Sequence, residues 1–237
     1  MDINQNLYNS VCYPYMDGMG KALLQIALDV ARVEDALSIA IMARENGADI
    51  IEAGTLLIKS TGISSVKSIK EVCRDLPVVA DMKVLDTGAE EVEMAARNGA
   101  DIVTVSALAH DKTILDAVIT ARNHGVKIMV DLLHVRDPLD RGMDLCELGV
   151  DYICIHRGID AVRAGAMQMD EMIKVVKALS SSCNIPIAVA GGIDDSNICE
   201  LIRAGAEIIV MGSYITKSAD VGRTVRWIRR FIDSAVV

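Results

Sequence analysis

Aromatic side chains are scarce in this 237-residue chain: one tryptophan, one phenylalanine and five tyrosines make up 3% of it. A core built on stacked rings is excluded, and Val, Ile, Leu, Ala and Met must fill it instead. Such aliphatic strands suit a parallel sheet buried on both faces. No apolar run approaches the ~18 residues of a membrane span. The first residues, MDINQNLYNSVCYPYMDGMGK, carry acids and amides where a signal peptide would need a basic start and an apolar centre, so a cytoplasmic protein without membrane partners is expected. Basic stripes are missing too. Lys plus Arg number 24 against 33 Asp plus Glu, a net charge of -9, and the dispersed cations disfavour nucleic acid as a partner. The six cysteines include no CxxC pair. Buried reduced thiols are the expectation, over a disulfide or zinc framework.

What the chain does have is a repeated phrase. ENGADIIEAG (45–54), RNGADIVTVS (97–106), ELGVDYICIH (147–156) and RAGAEIIVMG (203–212) each read as helix end, glycine stop, acid, then buried strand. Four further apolar runs, LLQIALDV (23–30), PVVADMK (77–83), KIMVDLL (127–133) and PIAVAGGI (186–193), bring the strand candidates to eight. The segments between them have helical spacing. Eight βα units without a linker or a composition shift predict a single-domain α/β chain, a (β/α)8 TIM barrel over residues 21–237, with a doubly wound open sheet as the alternative. Residues 1–20, which hold three of the five tyrosines, read as an N-terminal arm.

In such a barrel the site lies at the C-terminal ends of the strands. Polar residues collect there: Asp29, Glu52, Asp81, Lys83, Asp86, Asp131 and His156. Strand alternation sends Asp81 and Lys83 to one side and Met82 to the other. So many ionisable groups in one mouth exceed what a structural ion pair would need. Glu52 and Asp81, at equivalent depth on adjacent strands, could share a hard divalent cation. Strands 7 and 8 end in glycines: Gly191 and Gly192, then Gly212 followed by Ser213, whose freed N–H groups suit a phosphate. His110, His124 and His134 read as solvent-facing or capping residues, His134 nearest the mouth, and Arg157 should point away from the pocket.

The segment ADMKVLDTG resembles the Asp-x-Lys-x-x-Asp signature of the orotidine monophosphate decarboxylase superfamily. LQIALDV, GADIIEAGTLLI, GADIVTVSALA, VDLL, IHRGID and AVAGGI extend the resemblance over residues 23 to 217, and it is strongest to the 3-hexulose-6-phosphate synthase branch. The resemblance implies a homodimer with shared active sites that joins formaldehyde and ribulose 5-phosphate by a reversible Mg2+-dependent aldol reaction, with Mn2+ as a substitute metal. Its implied roles are metal ligation by Glu52 and Asp81 and enediolate stabilisation by Lys83. Asp86 would reach into the neighbour's site and His156 would transfer a proton. Asp29 and Asp131 would hold hydroxyls or orient partners, while Gly191, Gly192, Gly212 and Ser213 would bind the phosphate of a sugar substrate. A sister branch, the 3-keto-L-gulonate-6-phosphate decarboxylases, typically has an arginine three residues after the histidine, where this chain has Ile159. Leu56 and Thr87 depart from the synthase pattern, which has proline and alanine at those places.

Overall fold

The computed structural model describes residues 21–235, so the expected N-terminal arm lies outside the described residues. Eight parallel strands, β1 (Leu23–Leu28), β2 (Ile50–Ala53), β3 (Val78–Val84), β4 (Ile102–Ser106), β5 (Lys127–Asp131), β6 (Tyr152–His156), β7 (Ile187–Ala190) and β8 (Ile208–Met211), close in sequence order into a barrel. This is the (β/α)8 fold, and β8 pairs with β1 to leave no open edge.

The helices are α1 (Val33–Glu45) after β1, α2 (Thr55–Thr61) and α3 (Ser64–Val72) after β2, and α4 (Gly88–Arg97) after β3. Next come α5 (Asp111–His124), α6 (Pro138–Glu147), α7 (Ile159–Arg163) and α8 (Met169–Ser182). The chain ends with α9 (Ile198–Arg203), α10 (Ser213–Thr216) and α11 (Val221–Ser234). Three of them, α2, α7 and α10, are short helices that the sequence pattern did not separate from loops. All three follow a strand directly and shape the barrel mouth.

Two apolar layers hold the fold. Strand residues of one parity, among them Leu24, Ile26, Ile51, Val103 and Ile153, pack outward against the helices. The other parity, Ala27, Ile50, Val79, Ile102, Met129, Cys154, Ala188 and Ile208, fills the barrel interior. The same inward parity continues upward to the polar residues of the mouth, so strand alternation delivers Gln25, Glu52, Asp81, Thr104, Asp131 and His156 to one face.

The cysteine expectation needs correction. Cys146 and Cys183 form a disulfide, with Cα atoms 6.1 Å apart, while Cys73, Cys154 and Cys199 are buried and take part in no disulfide among the described residues. Cys12 lies outside the described residues. The pairing follows from helix packing. A Cβ at Gly142 on α6 would stand 2.7 Å from the methyl carbons of Leu179 on α8, so the two helices pack closely there. The cysteines near the C-terminal ends of these helices are thereby brought together across 37 residues of sequence, a proximity no local pattern reveals.

Candidate active site

A cavity of about 350 Å3 opens at the C-terminal end of the barrel. Asp29, Glu52, Asp81, Lys83, Asp131, His156, Gly191, Gly192, Gly212 and Ser213 all line it. Of the residues expected to act there, Asp86 is absent from the wall: it is exposed, two residues beyond β3.

Lys83 organises the centre. Its Nζ lies 2.8 and 2.9 Å from the two Asp81 oxygens and 2.9 Å from Asp131 Oδ2. Burial opposes its charge, yet Asp131 and Asp81 outweigh burial and hold the ammonium protonated well above the ordinary lysine range. The backbone at Lys83 is left-handed, with φ 48°, and the β3–β4 register shifts between Ala80 and Val84. This bulge turns the Lys83 amide away from the ladder, and it donates instead to Thr104 Oγ1 at 2.9 Å. The Thr104 hydroxyl in turn donates to Asp81 Oδ1 at 2.8 Å. Regular alternation is therefore interrupted at the residue that matters most, and Thr104 secures the interruption.

Asp131 is 3% exposed and accepts from Lys83, from the Leu133 amide at 2.9 Å, and pairs with His156 Nδ1 at 2.9 Å. Its burial would raise its pKa, but the His156 and Lys83 contacts prevail and hold it well below the carboxylate range. With Nδ1 engaged, His156 has Nε2 left to meet a substrate.

Glu52 behaves in the opposite way. It is 7% exposed, and burial followed by the charges of Asp81 and Asp29 pushes its pKa well up; Lys83 and a 2.5 Å hydrogen bond from Gln25 Nε2 oppose this. Asp29 at the rim is raised as well, by desolvation and then by Asp81. Its carboxylate fits between two glycines: a Cβ at Gly54 would stand 2.3 Å from Oδ1, and one at Gly212 3.5 Å from Oδ2.

Thus Asp29, Glu52 and Asp81 crowd one side of Lys83 with more negative charge than a lysine shared with Asp131 can balance. Gln25 Oε1, buried beside Glu52, has no hydrogen-bond partner. Surplus carboxylate charge and an unused amide oxygen fit a hard divalent cation, for which oxygen donors are preferred. A second group, Asp131, Cys154 and His156, brings potential ligand atoms within 4.8 Å of one another. There burial keeps the Cys154 thiol protonated by raising its pKa, and a neutral thiol is a poor metal ligand. The oxygen donors around Glu52 and Asp81 suit a hard cation better.

The glycine turns follow β7 and β8 at the same end of the barrel. Gly191 and Gly192 have φ of 93° and 69°, and a Cβ at Gly191 would stand 1.9 Å from the Arg157 carbonyl oxygen. Arg157 is buried outside the cavity, as expected: its Nε donates to the Met167 carbonyl at 2.9 Å, and it braces the turn from behind. His110 caps α5, accepting from the Lys112 amide. His134, expected nearest the mouth, is exposed and lines the cavity. Gln25, Thr55 and Thr104 were not anticipated. Thr55 Oγ1 donates to Asp81 Oδ2 at 2.6 Å. The available signal was a polar residue at an inward position of an apolar run, as in LLQIAL and IVTVS.

This fold, with carboxylates, a charged lysine and a histidine gathered at the strand ends, defines a (β/α)8-barrel of enzyme type. The chain belongs to the orotidine 5'-phosphate decarboxylase / HUMPS family, whose model matches residues 22–228. It is 34% identical over 209 residues to the 3-hexulose-6-phosphate synthase of Bacillus subtilis (strain 168), covering 88% of this chain and 98% of that protein. The crystal structure of 3-hexulose-6-phosphate synthase from Salmonella typhimurium superimposes with a TM-score of 0.83 at 31% identity, over 90% of this chain and 99% of that one. The 3-keto-L-gulonate-6-phosphate decarboxylase from Vibrio cholerae gives 0.81 at 28% identity, over 90% and 98%.

Proposed function

We infer that the chain is a 3-hexulose-6-phosphate synthase, an aldehyde-lyase joining formaldehyde to ribulose 5-phosphate through an enediolate. The observation that carries this reading is Lys83 held charged between Asp81 and Asp131 in a barrel that spans nearly the full length of a 3-hexulose-6-phosphate synthase. A lysine kept protonated cannot form a Schiff base, but it can stabilise an oxyanion.

The sugar phosphate would anchor its phosphate at Gly191, Gly192, Gly212 and Ser213, which sets its carbonyl end toward Lys83. His156, oriented by Asp131, removes a proton from the carbon next to the carbonyl through Nε2, and the oxyanion so formed faces the Lys83 ammonium. The enediolate carbon then adds to formaldehyde, and the new alkoxide takes back the proton that His156 removed, which resets the imidazole. Asp29 at the rim would hold substrate hydroxyls. Glu52 and Asp81 would hold Mg2+, or Mn2+ in its place, which would supply a Lewis acid to the carbonyl and its neighbouring hydroxyl.

A homodimer with shared sites belongs to the same proposal. Asp86 is exposed and does not line its own cavity, and Leu56, Leu85 and Leu108, exposed by 60%, 59% and 57%, follow the consecutive strands β2, β3 and β4. Apolar side chains exposed together at one rim favour a protein contact. No helix among the described residues is long and apolar enough to cross a membrane, and phosphorylated sugars as substrates favour a cytoplasmic setting.

The test is direct. Purified protein with Mg2+ should consume ribulose 5-phosphate only when formaldehyde is added, and should release formaldehyde from hexulose 6-phosphate. Release of CO2 from 3-keto-L-gulonate 6-phosphate without either of those activities would transfer the assignment to the decarboxylase branch.

A further inference from the structure

A second cavity, of about 660 Å3, lies beside the first and is lined by Asp195, Tyr214, Ser218, Arg223, Thr224, Arg226, Trp227 and Arg230. Tyr214 belongs to the walls of both cavities. Three arginines in one cavity are unexpected in a chain of net charge -9.

Helix α11 explains how they come together and why their charge is left over. Arg223, Arg226, Trp227 and Arg230 stand at i, i+3, i+4 and i+7, so they share one face. On the opposite face Arg229 is neutralised by Asp49 at 2.5 Å and by Asp233, one turn along, at 2.8 Å. The cavity face has no such arrangement. Arg226 and Arg230, four residues apart, are a like-charged pair, which is unfavourable in an isolated helix. Arg226 bonds only the neutral Asn46 side chain, and among the described residues Arg223 and Arg230 form no ion pair. The one acid in the wall, Asp195, interacts with the Tyr214 hydroxyl. One carboxylate against three guanidiniums leaves the cavity positive. The Trp227 indole, half-buried with its centroid 5.9 Å from that of Phe231, adds a flat apolar wall between the arginines.

We propose that this cavity binds a di- or triphosphate group, carried either by a nucleoside or by inorganic polyphosphate. Forked guanidinium donors match phosphate oxygens in pairs, and several of them suit a ligand with adjacent phosphates better than a single carboxylate. The volume is in the range of small-molecule sites. The shared Tyr214 wall places an occupant next to Gly212 and Ser213, so binding there would be felt at the sugar-phosphate cavity.

Trp227 is the chain's single tryptophan, so its emission reports this cavity alone. ATP, inorganic tripolyphosphate and adenosine are titrated into the full-length protein, with emission excited at the red edge of the indole band and binding heat measured in parallel. A saturable change with ATP and with tripolyphosphate but not with adenosine is expected, with affinity at least tenfold weaker in an Arg223→Gln/Arg230→Gln variant. ATP binding at least tenfold tighter than tripolyphosphate would assign the group to a nucleotide; equal affinities would assign it to polyphosphate at large. Absence of saturable binding, adenosine binding as tightly as ATP, or unchanged affinity in the double variant would overturn the proposal. Both arginines are exposed, so the variant should fold, and the readout needs no turnover, which separates its outcome from that of the proposed reaction.

Discussion

Lys83 Nζ lies 2.9 Å from Asp131 Oδ2 and so ties β3 to β5 across the barrel mouth, while the same nitrogen grips Asp81 on its own strand. Charge and position are thus settled by one side chain with two acidic partners. Lys83→Ala should lower turnover by about three orders of magnitude, on the scale of removing a positioned oxyanion donor. It also leaves Asp81 and Asp131 without their cation, so a lower unfolding midpoint with an unchanged circular dichroism spectrum should accompany the lost activity. Retained turnover would remove Lys83 from the mechanism.

Asp131 makes a pH-dependent contribution to stability. Its folded pKa is depressed below the ordinary 3.8, so its stabilisation is fully present above that value and is lost as pH falls through the folded one. Asp131→Asn should cost about 3 kcal/mol near neutrality, typical of breaking a buried ion pair. Urea unfolding at pH 7 and pH 3 checks the sign: the gap between wild type and variant should be narrower at pH 3.

Thr104→Val keeps the shape of the side chain but leaves the Lys83 amide without its acceptor and Asp81 without one donor. A loss of about 1–3 kcal/mol in urea unfolding is expected, the cost of an unsatisfied buried group. Turnover should fall with it, because the bulge that aims Lys83 is loosened. A variant as stable and as active as wild type would show that the bulge does not need the hydroxyl.

Gly191→Ala and Gly165→Ala form a matched pair. Both positions have positive φ, 93° and 77°, but a Cβ at Gly191 would collide with the Arg157 carbonyl whereas Gly165 has open space around it. The Gly165 variant should lose only about 1 kcal/mol, the backbone cost alone. The Gly191 variant should lose more and should raise KM for the sugar phosphate at least tenfold in steady-state kinetics.

Shared active sites are tested by mixing chains. Asp86→Ala and Lys83→Ala chains, each expected to be inactive alone, should regain part of the wild-type activity when refolded together. Mixtures as inactive as their parents would place Asp86 outside the neighbouring site.

Much of this was legible along the chain, because alternation in strands and glycine stops after helices are local rules. GADII, GADIV, GVDYI and GAEII mark four strands by themselves, and inward parity carries Glu52, Asp81, Asp131 and His156 to the mouth. The glycine turns at Gly191 and Gly212 were readable for the same reason. Local rules stop where an interaction joins distant segments. The bulge at Lys83 depends on a hydroxyl from β4, and the Cys146–Cys183 disulfide depends on how closely α6 approaches α8 at Gly142.

The sequence by itself determined the barrel, its order of strands and the roster of charged groups at their ends, since each follows from periodicity within a few residues. Only the tertiary structure decided how those charges are shared. Lys83 is held by Asp81 and Asp131, Glu52 is left with a raised pKa beside an unpartnered Gln25 oxygen, and α11 sets its arginines around a second cavity. Each outcome rests on distances between strands and helices that closing the barrel creates.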